Sequence, residues 1–71
     1  MSLPDSLKRF RKEFNLTQKA VASSLGVQEN AYQRYEHGKV IPSVLVMAKL
    51  ADAYNVSLDY LVGRSDNPQR L

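Results

Sequence analysis

The 71-residue chain contains no cysteine. That excludes disulfides and thiolate metal sites, and it suits a reducing compartment such as the cytoplasm. It contains one histidine, His37, and no His/Asp/Glu set with metal-ligand spacing, so no metal site is expected. Ser23 and Ser24 have no candidate base near them in the sequence. The three glycines, Gly26, Gly38 and Gly63, are isolated and read as helix stops, not as a phosphate-cradling loop. The longest apolar run, Val44 to Ala48, is far too short to cross a bilayer, and no basic segment leads into a signal-like apolar stretch. No catalytic activity, no cofactor, no small-molecule ligand and no membrane partner are therefore expected, and neither is a signal peptide. There is no internal repeat and no low-complexity segment.

What is present is a positive charge confined to one half. Net charge is +3. Residues 1–39 hold seven basic and four acidic side chains, whereas residues 40–71 hold three of each. An excess placed this way suits a polyanion, whose counterions are released on binding, and it equally suits a solubilised surface. A chain of this length buries only roughly 60% of its unfolded surface, so all its helices must share one core.

Helical punctuation is regular. Ser2-Leu3-Pro4-Asp5 has capping-box spacing, and Leu3, Leu7, Phe10 and Phe14 form one stripe of a first helix over about 3–14, closed by Asn15. Thr17 caps a second helix with Val21, Ala22 and Leu25 inward, and Gly26 ends it. A third helix runs over about 28–37. Val27, Ala31, Tyr32 and Tyr35 face inward, while Glu29, Asn30, Gln33, Arg34 and His37 face outward. Gln28 is a weak residue for its N-cap, which hints at another task. Ser43 caps a fourth helix with Val44, Met47, Leu50, Ala51 and Tyr54 as its buried stripe, closed by Asn55. Ser57 caps a last short helix, Leu58 to Val62. The expected organisation is one all-α, five-helix domain over 1–63 and a polar tail over 64–71, frayed or leading into a linker.

Thr17 to Gly38 is the centre of this arrangement: two short helices joined by a tight turn, with Ala22, Gly26, Tyr32 and Tyr35 suited to a steep crossing. That is a helix-turn-helix formed by the second and third helices. From Leu7 to Gly63 the chain resembles the phage repressor/Cro-type, or XRE-type, helix-turn-helix family. The matching stretches are L-T-Q at 16–18, L-G-V at 25–27, R-Y-E-x-G at 34–38, P-S at 42–43 and V-S-L-D-Y-L at 56–61.

The resemblance implies a transcriptional regulator, a repressor by preference, bound as a homodimer to a two-fold symmetric double-stranded DNA operator. It implies that Gln18 meets a phosphate and that Gln28, Glu29, Asn30 and Arg34 project toward base edges, with Gln33 beside them. It places His37 near a phosphate and Lys39 on one, and it makes Arg11 and Glu36 an internal ion pair. The side-chain chemistry agrees: Gln and Asn pair with adenine N6/N7 and Arg with guanine O6/N7. Glu29 departs from the pattern, either accepting from cytosine N4 or repelling phosphate. Val40, Ile41 and Leu45 read as an exposed apolar patch, either packed locally or meeting a partner or second subunit. Tyr60, with Leu45, is expected at the dimer contact. A protein-interaction module on the same fold, such as an antitoxin, or the DNA-binding part of a longer regulator, is the alternative.

Overall fold

The computed structural model describes residues 1–70, and all regular structure among them is helical. The elements are α1 (Leu3–Glu13), α2 (Gln18–Leu25), α3 (Glu29–Glu36), α4 (Val44–Tyr54) and α5 (Leu58–Leu61). Four of the five begin on a hydroxyl cap. Ser2, Thr17, Ser43 and Ser57 accept from the backbone N–H three residues on, at 3.0–3.2 Å. This satisfies one of the donors that a helix start otherwise leaves without a partner. The exception is α3, where Gln28 makes no side-chain cap bond.

The turn between α2 and α3 depends on Gly26, at φ +71°. There the N–H groups of Gly26 and Val27 fold back onto Ser23 O and Ala22 O at 3.1 and 3.0 Å. An L side chain is disfavoured at this φ, so glycine sharpens the stop and lets α3 start within three residues. Asn15 and Asn55 adopt the same left-handed conformation after α1 and α4. From α4, Lys49 Nζ donates to Leu25 O at 3.1 Å, placing a cation at the C-terminal end of α2 where the helix dipole favours it.

One core joins the five helices. Leu7 and Phe10 from α1 meet Val21, Ala22 and Leu25 from α2, Tyr32 from α3, Met47, Leu50 and Ala51 from α4, and Tyr60 and Leu61 from α5. Phe10 lies at the centre of an aromatic run, 5.1 Å from Phe14 and 5.2 Å from Tyr54 between ring centroids. Each fully buried large side chain contributes about 1.5–3 kcal/mol relative to exposure. Buried Ser6 ties α1 to α5, its Oγ lying 2.7 Å from Leu61 O and 3.1 Å from Tyr60 O.

Two expectations change. Val44 is not part of the α4 stripe: it is 75% exposed. It is the first residue of α4 and faces solvent, while Val46 is half-buried against the core instead. Nor do residues 64–70 run free of the helices, and Leu71 of the expected tail lies outside the described residues. Ser57 N–H donates to Pro68 O at 2.8 Å, Arg70 reaches Val56 O and Asp52, and Arg9 holds Ser65 O and Asp66. The tail folds back along α4 and α5 because two arginines distant from one another in sequence hold it there.

Candidate nucleic-acid interface

The exposed face of α3 begins at an uncapped end. Ala31 and Tyr32 donate back to Gln28 O at 3.0 and 3.2 Å, which leaves the N–H groups of Glu29 and Asn30 without intrahelical acceptors. Gln28, Glu29, Asn30 and Arg34 are exposed and Gln33 is half-buried. His37, the C-cap, and Lys39 are exposed just beyond the helix. Tyr32, on the opposite side of the helix, is fully buried, so the face is fixed in rotation by the core beneath it.

Below this face a polar chain connects three helices. Glu36, 1% exposed, receives Arg11 Nε on Oε2 at 2.7 Å and Arg11 Nη2 on Oε1 at 3.0 Å. Gln18 Nε2 donates to the same Oε1 at 3.1 Å, and Gln18 Oε1 accepts from Gln33 Nε2 at 3.1 Å. Burial opposes ionisation of Glu36, yet Arg11, the Tyr32 phenol and Gln18 outweigh it and hold the carboxyl below its ordinary range. The same contact with Glu36 raises the pKa of Arg11. The Tyr32 hydroxyl is buried without a hydrogen-bond partner of good geometry among the described residues. Burial first, and then the nearby Glu36 charge, push its pKa well above the ordinary phenol value. Gln18 is thus the hinge of the site: its amide is committed inward, while it stands in the first turn of α2 beside N–H groups that lack intrahelical acceptors.

A helix-turn-helix family model matches residues 7–61. The chain belongs to the helix-turn-helix family. A similar protein is the cryptic phage CTXphi transcriptional repressor RstR of Vibrio cholerae. It is 36% identical over 73 residues, covering 100% of this chain and 65% of that protein. Another is the HTH-type transcriptional regulator ImmR of Bacillus subtilis, 38% identical over 66 residues, covering 93% and 52%. The chain therefore spans between half and two-thirds of these relatives. The solution structure of the DNA-binding domain of the P22 c2 repressor matches with a TM-score of 0.81, covering 100% of this chain and 92% of that one. At 24% identity, that likeness is one of fold.

In this helix-turn-helix domain Tyr60 is not available to a second subunit. It is 0% exposed, covered by the Arg9 guanidinium 4.3 Å from its ring centroid, and its hydroxyl donates to Glu13 Oε1. The last helix lies against α1, and its tyrosine fills the space between them. Leu45 does stand free, 82% exposed, beside Ile41 at 84%, Val44 and Val40. Val44 belongs to this patch, and helical spacing misses it because its period matches the buried stripe. Sequence reasoning also misses the Gln18–Glu36 and Gln18–Gln33 bonds. They join residues 18 and 15 positions apart, and no local pattern signals them.

Proposed function

We propose that this chain is the DNA-binding domain of a transcriptional regulator, with α3 laid in the major groove of operator DNA. The observation that carries the reading is the make-up of the exposed α3 face. It pairs Gln28, Asn30 and Arg34, side chains suited to base edges, with a helix start that has no side-chain cap. A face serving only solubility favours Lys and Glu at four-residue spacing. The backbone N–H groups at the start of α2, at Gln18, and the Lys39 ammonium flank the helix as phosphate contacts, and His37 lies at its C-terminal end. The relative named as a repressor, RstR, supports repression over activation.

The functional unit is a homodimer. Few phosphate contacts per copy make a single domain a weak binder, and two recognition helices about 34–36 Å apart reach successive major grooves. The exposed Ile41, Val44 and Leu45 are the side chains a second copy covers. The test is selection from a library of randomised duplexes with the purified chain, followed by a salt titration on an enriched duplex. Enrichment of a two-fold symmetric site, with affinity falling steeply as salt rises, is expected. No detectable affinity for any duplex at low salt overturns the reading and favours a protein partner at the apolar patch.

A further inference from the structure

The polar chain under α3 has a direction, and the direction has a consequence for base choice. Glu36, held ionised by Arg11, can only accept hydrogen bonds. Gln18 must therefore turn its NH₂ group inward to Glu36 and its carbonyl oxygen outward. That oxygen needs a donor, so Gln33 turns its NH₂ group toward it. The second N–H of the same group points along the helix to Glu29 Oε2, a long contact at 3.5 Å, one turn toward the N-terminus. The sense of each amide follows from the one before, back to a single buried carboxylate.

Resting on the DNA-binding reading above, we propose that Glu29 is a specificity-determining residue that selects cytosine, and that Gln33 is its positioning residue. Glu29 is exposed in the first turn of α3, where the helix dipole favours a carboxylate. Its outer oxygen, Oε1, has no partner among the described residues. A carboxylate there repels phosphate and repels the N7 and O6 acceptors of guanine. It repels adenine N7 as well, even though adenine also offers an amino group. Cytosine presents the N4 amino donor with no acceptor of its own base beside it in the major groove, and it is the base a carboxylate accepts from. The charge thus discriminates mainly by penalty: it disfavours the other bases more than it favours cytosine.

The experiment is random-site selection with the wild-type chain and with Glu29→Gln, Glu29→Ala, Gln33→Leu and Gln33→Glu, with the unfolding midpoint of each recorded. The wild type is expected to require cytosine at one position of each half-site. Glu29→Gln moves that position to adenine, since an amide pairs with both N6 and N7, with a change in preference of about tenfold or more. Glu29→Ala relaxes the position and raises affinity for random duplex. Both Gln33 variants lack the donor and loosen the same position while leaving the other base preferences unchanged, which a purely structural role does not produce; each also deprives Gln18 Oε1 of its donor and lowers the unfolding midpoint. A wild-type site with no cytosine requirement, or a Glu29→Gln site unchanged from wild type, overturns this assignment while leaving DNA binding intact. A wild type that enriches no duplex overturns the DNA-binding reading itself and this assignment with it.

Discussion

Arg11 and Glu36 form a two-pronged ion pair, 2.7 and 3.0 Å, that fastens the C-terminal half of α1 to the last turn of α3. The two ends are unequal. The Glu36 side chain is almost wholly buried, whereas Arg11 keeps part of its side chain in water. Removing the arginine therefore strands a buried carboxylate, while removing the glutamate leaves a cation that water can still reach. Arg11→Met is expected to destabilise by about 3–5 kcal/mol, and Glu36→Gln by less. Urea unfolding followed by circular dichroism measures both, and equal losses contradict the asymmetry.

The same pair sets the acid limb of stability. The Glu36 carboxyl is held below its ordinary value of 4.5, so its contribution is complete above that pH. It is lost as the pH falls through the lowered folded-state value. The alkaline limb has the opposite sign. Tyr60 is pushed up to about 12, by burial first and then by Glu13, so its contribution is intact below 10 and is lost as the pH rises toward 12. Urea midpoints across the pH range should fall at both ends. Glu36→Gln should flatten the acid limb only, and Tyr60→Phe should weaken the alkaline limb.

Tyr60 and Leu45 separate stability from association. Tyr60→Phe keeps the buried ring and removes the bond to Glu13, for a cost of about 0.5–1.5 kcal/mol and no change in self-association. Leu45→Ser together with Ile41→Ser changes stability by no more than about 0.5 kcal/mol, because both side chains are already in solvent. The pair is expected to weaken the proposed dimer. Sedimentation equilibrium of the wild type and both variants decides. A dimer abolished in Tyr60→Phe and kept in the double variant contradicts the assignment.

Gly26 supplies a cleaner test of the turn. A Cβ added there meets only Lys49 Nζ, at 3.7 Å, so there is room for a methyl group. The remaining cost is conformational, from the +71° φ, and Gly26→Ala is expected to destabilise by about 1–2 kcal/mol. A loss much larger than this, read from urea unfolding, means that the turn is constrained by more than its φ.

Much of this molecule is legible in its sequence because its signals are local. Ser2, Thr17, Ser43 and Ser57 each sit three residues before the N–H they cap, and Asn15, Gly26 and Asn55 each follow the last turn of their helix. The inward set of α2 follows from spacing alone. The failures are all non-local. Val44 has the right period but lies where no element faces it. Tyr60 reads as a dimer contact on the last short helix until Arg9, 51 positions earlier, is laid across it. The tail looks free until Arg9 and Arg70 are seen to hold it. In the site, the outward residues of α3 are evident from helical period. The orientation of the Gln18 and Gln33 amides is not, since it depends on a buried charge contributed from the other end of α3.

The outward face of α3 is the central claim, and one binding measurement addresses it most directly. The wild-type chain and an Asn30→Ala, Arg34→Ala variant are titrated, by fluorescence anisotropy at fixed salt, against a duplex enriched by the wild type and against a random duplex. Both residues are exposed, so the variant should keep the wild-type circular dichroism spectrum and unfolding midpoint. Its preference for the enriched duplex should fall at least about tenfold, consistent with about 1–3 kcal/mol for each side chain removed from a base edge. A correctly folded variant that retains the full wild-type preference contradicts the account.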